Sequence, residues 1–169
     1  DYLLSMHEKD RFNTISIRIG GVLGGKGDAY DYMRYPILFG FEPEPPLIDS
    51  NYAGNIADAL VVVYKTMKVN QSVTGRFYYY TGEPTSETEK IKVIAEKQNK
   101  PLVILPLWLL QTVKDVWHYV RWDPDVYTQV DLIRMALIEQ TFDQTLFLET
   151  FQFNPKYSMN STLQLLYGN

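Results

Sequence analysis

Five glycines, Gly20, Gly21, Gly24, Gly25 and Gly27, fall within eight residues directly after the run Asn13–Ile19. In that run Ile15, Ile17 and Ile19 alternate with Ser16 and Arg18, the period of a β-strand. A glycine-rich loop leaving the C-terminal end of a strand is where open α/β sheets bind ligands, because backbone can approach a ligand closely there. The loop carries no G-x-x-x-x-G-K-[ST] pattern and no G-x-G-x-x-G leading into an amphipathic helix, so it is not a phosphate cradle. A ligand contact and a plain flexible connection both fit these residues.

Other chemistries are closed by composition. The chain has no cysteine, which excludes disulfides, thiolate zinc and cysteine nucleophiles. His7 and His118 are its only histidines, too few for a histidine-rich metal site. The net charge of −4 offers no basic surface to a nucleic-acid backbone. Hydrophobic residues make up 46% and charged residues 21%, the balance of a globular chain. The segment Asp1–Met6 lacks an initiator methionine and a basic leader, so the chain reads as part of something longer or processed.

The elements that would position the loop follow from periodicity. The stretch 51–81 organises them. Ile56, Ala59, Leu60, Val63, Tyr64 and Met67 recur on one helical face, with Asn51 or Asn55 placed to cap it. Gly75 then releases the chain into a tyrosine-rich strand, Arg76–Thr81. Before this, Tyr2, Leu3 and Met6 share a face at the end of a helix over 1–10, and Asp28–Phe39 reads as a short helix ending around Pro36. Glu42–Pro46 is a surface linker, since adjacent prolines suit neither helix nor central strand. Residues 82–85 read as a loop. Ser86 and Glu89 form a capping box opening a helix to about Gln98, with Ile91, Ile94 and Ala95 buried.

Residues 101–122 hold all three tryptophans, Trp108, Trp117 and Trp122. The run suits a core-covering helix, or a helix that rests on a membrane surface or a partner; its uncharged part, Pro101–Val113, is thirteen residues with two prolines and too short to span a bilayer. Helices follow over 125–139 and 158–166, separated by an aromatic tail over 141–153 and a turn at Asn154-Pro155.

Several of these segments resemble extended short-chain dehydrogenases, and among them the 3β-hydroxysteroid dehydrogenase family. NYAGNIADALVVVYK resembles V-Y-V-x-N-V-A-x-A, and GRFYYYTGEPTS resembles G-x-x-F-x-I-x-x-x-x-P-x-S. SIRIGGVLGGKGD is similar to L-R-P-x-x-I-Y-G-x-G-D, with Arg18, Gly20, Gly24 and Asp28 matching, Ile19 standing for the proline and Leu23 for the tyrosine. Near the C-terminus Phe153, Pro155, Tyr157 and Ser158 fit G-[YF]-x-P-x-x-S, while the family's Lys-Ala pair is absent.

The resemblance implies an α/β fold: the C-terminal part of a Rossmann-like doubly wound sheet over 1–82, plus a mainly helical substrate-side subdomain over 83–169. Together they make one incomplete domain. It implies that Arg18, Ile19, Gly20, Gly21 and Gly24 line the nicotinamide end of NAD or NADP. It also implies that the dinucleotide loop and the Y-x-x-x-K pair belong to an N-terminal half, in a second chain or a preceding segment. Tyr64 and Lys68 have that spacing but lie mid-helix, in the wrong place, so no catalytic residue is assigned to this chain. On this reading the chain is half of an NAD(P)-dependent, steroid- or sterol-type oxidoreductase, intracellular, with the Trp-rich region where the steroid enzymes associate with membranes. The alternative is a non-catalytic accessory subunit of a larger complex, at a mitochondrial or other membrane, as short-chain dehydrogenase relatives serve in respiratory complex I.

The alternative is testable from sequence alone. If Trp117 and Trp122 face lipid or a neighbouring subunit, replacing both with Glu releases the protein from membranes or its complex with helix content unchanged by circular dichroism. Unfolding, or unchanged binding, makes them ordinary core.

Overall fold

A computed structural model of the chain describes residues 13–24, 35–119 and 137–168. The helix expected over 1–10, the 28–34 part of the helix expected before Pro36, and residues 125–136 lie outside the described residues. The chain forms two compact units. The first comprises Asp1–Asp28, Asp49–Glu83 and Phe142–Thr162, and the second Ala29–Ile48, Pro84–Thr141 and Leu163–Asn169.

In the first unit β1 (Ile15–Ile19) runs parallel to β5 (Arg76–Tyr80), with Ile17 opposite Tyr78 and Ile19 opposite Tyr80. Both strands stand where alternation and β-branched or aromatic content place them. Helix α1 (Ala53–Val69) and helix α4 (Thr145–Phe151) pack with them. The core is Ala59, Val63, Val73, Tyr78, Tyr80, Phe147 and Phe151, with Ile15, Ile17, Ile56 and Phe153 against it. Phe147 is fully buried and stacks on Tyr80 at 4.8 Å between ring centroids, and Tyr78 meets Phe151 edge-on at 5.0 Å. The Tyr78 hydroxyl donates to the Val73 carbonyl at 3.1 Å, so this phenol is buried at no hydrogen-bonding loss.

The apolar face of α1 is narrower than its spacing suggests. Ala59 and Val63 are buried, but Leu60 and Tyr64 are 50% and 59% exposed. Its cap is also different: Tyr52 occupies the N-cap with no side-chain bond. Asn55 instead donates from its amide to the Tyr157 carbonyl at 2.7 Å and accepts from the Tyr157 N–H at 3.1 Å. Asn51 points its amide at the Tyr80 carbonyl, 3.5 Å away. Both asparagines are consumed by tertiary bonds 29 and 102 residues distant, which local capping rules do not see.

Part of the glycine-rich loop is a strand, and a further strand precedes α1. β2 (Gly21–Leu23) pairs in parallel with β4 (Ile48–Tyr52), placing Gly21 opposite Ser50 and Leu23 opposite Tyr52. β4 carries Asp49, Ser50 and Asn51, all buried. Polar residues depress strand propensity, and pairing overrides it. The segment after Phe142 is not an unstructured tail but contains α4, and α5 (Met159–Tyr167) starts with the Met159 N–H donating to the Glu83 carboxylate at 2.6 Å.

In the second unit β3 (Leu38–Glu42) runs parallel to β7 (Leu102–Pro106), Leu38 opposite Leu102 and Gly40 opposite Ile104. Phe39 is therefore strand, not helix, and the Trp-rich region opens with a strand before helix α3 (Leu107–Tyr119) begins. Glu83–Thr85, expected as loop, is a short strand, β6. Leu137–Glu139, expected as a helix end, is non-helical. Helix α2 (Glu87–Lys97) starts as expected, with Ser86 accepting from the Glu89 N–H at 3.1 Å. The Ser86 hydroxyl donates to Glu44, which Lys92 also holds at 2.9 Å; the Lys92 bond is the main reason the Glu44 carboxyl titrates below its ordinary value. Thr88, fully buried, accepts from the Phe41 N–H at 2.8 Å and so ties α2 to β3. Among the described residues no helix is long and apolar enough to cross a membrane.

Phe147 is the pivot of the first core, and Phe147→Ala removes contact with Tyr78, Tyr80, Phe151 and Phe153 together. The variant is expected to lose about 3–5 kcal/mol in urea denaturation. A loss below about 1 kcal/mol would mean the ring is not central to folding.

Candidate functional site

The C-terminal ends of β1 and β5 meet β4 at one place, and the glycine-rich loop leaves from it. Gly20 follows β1. A Cβ there would stand 2.5 Å from the Thr81 carbonyl oxygen and 2.9 Å from the Asp49 carbonyl oxygen, both backbone. Only glycine fits, and the reason is the approach of three backbone segments. Gly82 closes the same junction from the other side. Its φ is +91°, a region costly for residues with a side chain, and a Cβ would lie 2.1 Å from the Ser50 carbonyl oxygen.

Two groups from the segment before α4 hold this junction, the Gln144 side chain and the Phe142 N–H. Gln144 accepts from the Gly82 N–H at 3.2 Å and donates to the Gly82 carbonyl at 2.8 Å, bonding both backbone groups of one residue. Asp49, buried on β4, accepts from the Phe142 N–H at 2.8 Å. These residues were not legible as functional. A glutamine and an aspartate in unremarkable runs acquire their roles only from partners 62 and 93 residues away.

The five residues expected at a cofactor are placed as follows. Arg18 and Ile19 are the last two residues of β1, Gly20 is the junction glycine, Gly21 starts β2, and Gly24 bends the chain after it with φ +100°. Gly21 and Val22 are exposed while Leu23 is buried, so the loop shows one side outward and anchors by the other. Ile19 is 45% exposed. The Arg18 guanidinium donates to the Tyr79 hydroxyl at 3.0 Å and lies over the Phe77 ring, 4.9 Å from its centroid. Tyr79 in turn stacks on Phe142 at 5.1 Å. The sheet face bearing Arg18 is thus a row of cation and aromatic rings, opposite the face bearing Tyr78 and Tyr80.

Tyr80 ends β5 at this junction. Its hydroxyl is buried and makes no hydrogen bond of good geometry among the described residues. Burial raises its pKa above the ordinary phenol value; the Asn51 side chain acts against this, and the Asp58 carboxylate adds to it. The Thr81 hydroxyl is buried without a partner as well. Both phenol and hydroxyl are closed off from solvent. No group of three or more potential metal-ligating side chains gathers among the described residues.

The junction separates two glycines that look alike in sequence. Gly20→Ala forces a methyl against backbone oxygen and is expected to cost about 1–3 kcal/mol. Gly21→Ala, whose Cβ would stand 3.4 Å from the nearest atom, is expected to cost under about 1 kcal/mol, the helix-free share of glycine's flexibility. Chemical denaturation of the two variants reads the difference, and equal costs would remove the packing role assigned to Gly20.

No family model matches this chain, and no curated protein matches it. Solved structures do. A dTDP-glucose 4,6-dehydratase from Bacillus anthracis in complex with NAD aligns over 97% of this chain and 46% of its own, at 13% identity and TM-score 0.59. A human epimerase family protein with NADPH aligns over 93% and 49%, at 16% identity and TM-score 0.62. A UDP-glucuronic acid 4-epimerase from Bacillus cereus, in complex with UDP-glucuronic acid and NAD, aligns over 89% and 43%, at 15% identity and TM-score 0.57. The chain spans about half the length of these structures. It has the α/β fold, with parallel strands and packed helices, of the C-terminal portion of the Rossmann-like short-chain dehydrogenase architecture.

Proposed function

We propose that the chain is the C-terminal half of a nicotinamide-dependent oxidoreductase of the extended short-chain dehydrogenase type, acting on a 3β-hydroxysteroid or related sterol. One observation carries this: the Gly20–Gly24 loop leaves the C-terminal end of a parallel strand with Gly21 and Val22 exposed, where such folds receive ligands. The residues suit one end of a dinucleotide. Gly21 and Gly24 let a flat ring approach backbone, and Ile19 offers it an apolar contact. They do not suit the pyrophosphate, which needs a glycine fingerprint at a helix N-terminus that the sequence lacks. The cofactor, when bound, supplies hydride transfer; this chain's share is to hold and orient its nicotinamide end.

The other half of the fold is the partner this reading requires. It supplies the pyrophosphate loop and the proton-transferring tyrosine with its lysine. Its strands would also relieve a physical weakness, since parallel sheets are stable when extended and covered on both faces, and among the described residues β1 and β5 make a sheet of two strands. The steroid assignment rests on the sequence resemblance, including the apolar run 101–122 as substrate wall.

A second reading has one observation of its own. Trp108, at the start of α3, is 61% exposed. A large exposed aromatic suits contact with a partner or a membrane surface, as in a non-catalytic accessory subunit.

Titration of the whole protein with NADH and NADPH, followed by nucleotide fluorescence, separates the two. Saturable binding, weakened about tenfold by Gly21→Val, together with oxidation of a 3β-hydroxysteroid, is expected of the enzyme. A whole protein that binds neither nucleotide overturns the proposal and leaves the accessory role.

A further inference from the structure

We infer that Gln144, together with Asp49, is the positioning device of the Gly20–Gly24 loop, which is held from the C-terminal segment rather than by its own residues. The inference rests on the reading of that loop as the wall of a nicotinamide site, and asks what fixes the wall.

The loop has little of its own to fix it. β2 is three residues long, two of them exposed, and only Leu23 is buried. Glycines at 20, 21 and 24 give its backbone more freedom to lose than other residues would. It is tied to β4 through Gly21 opposite Ser50 and Val22 opposite Asn51.

β4 is in turn gripped at Ser50 and at Asp49. The Ser50 carbonyl is in closest backbone approach to Gly82, and both hydrogen-bonding groups of Gly82 are taken by the Gln144 carboxamide. A carboxamide presents one donor and one acceptor side by side, as a neighbouring strand's backbone does. Gln144 thus stands in for a strand at the end of β5. One residue upstream on β4, the Asp49 carboxylate grips the Phe142 N–H while its carbonyl meets Gly20. Two short paths result: Gln144 to Gly82 to Ser50 to Gly21, and Phe142 to Asp49 to Gly20. Both run from residues 142–144 to the loop, and both stay clear of the aromatic core at Phe147.

This separation makes a positioning role distinguishable from a structural one. Gln144→Met keeps the length of the side chain and removes both bonds. Gln144→Glu keeps the acceptor for the Gly82 N–H and sets a carboxylate against its carbonyl. Hydrogen exchange over 20–24 is expected to quicken about tenfold or more in the Met variant, with exchange over 15–19 and 76–80 unchanged. The Glu variant is expected to quicken it as well. Unchanged exchange over 20–24 would overturn the inference. Equal quickening in loop and core strands would overturn it too, because Gln144 would then merely contribute to global stability. NADH titration of the same variants is read separately. A loosened loop with unaltered NADH affinity keeps Gln144 as the positioning residue and sinks the nicotinamide assignment.

Discussion

The stack of Tyr80 on Phe147 is the contact on which the first unit depends. It joins the last residue of β5 to the one α4 side chain that is wholly excluded from water, and α1 closes over the same rings through Ala59 and Val63. Aromatic pairs of this kind bury a large area and fix ring geometry as well as distance. β5 therefore has a defined face, and β1 inherits it through the parallel register: Ile15 and Ile17 go to the core, while Ser16 and Arg18 go to the other side. The side that carries Arg18, and the point where the glycine loop departs, both follow from where Phe147 sits.

The junction beyond that stack is built on a different principle. It buries polar residues in a strand and brings backbone against backbone, which packing alone does not reward. Asp49, Asn55 and Gln144 make it stable by taking up main-chain groups of distant residues. The buried side chains of Asp49, Asn51 and Asn55 each have a main-chain partner, and loss of one leaves that partner unpaired. Among the described residues the hydroxyls of Tyr80, the last residue of β5, and of Thr81 after it are buried without a hydrogen-bond partner. Such groups cost stability when they stay unpaired.

What could be read from sequence was local. Ile15, Ile17 and Ile19 announce β1 by alternation, the tyrosine run announces β5, and Ser86 with Glu89 announces the start of α2. The capping serine works because its partner is three residues away. The α/β class and the position of the glycine loop at a strand end follow from these. β4 was illegible because Asp49, Ser50 and Asn51 are poor strand formers whose pairing with β2 is long-range. β7 was lost in an apolar run that looks the same as buried helix, and Leu60 and Tyr64 looked buried because helical period gives a face and not its width. The holders of the candidate site, Gln144 and Asp49, have no local signature at all. They are visible only once residues 62 and 93 positions apart are in contact.

The clasp between Asn55 and Tyr157 has a consequence for how the protein is made. Its two ends are 102 residues apart, so at translation speeds of about 5–20 residues per second the start of α1 waits several seconds for its partner. During that interval the tyrosine-rich strand has left the ribosome while Phe147, its cover, has not been synthesised. The first unit is thus assembled from pieces made early, middle and late. Between the synthesis of β5 and that of α4 the nascent chain carries an uncovered aromatic strand, the kind of exposed surface that chaperones exist to cover.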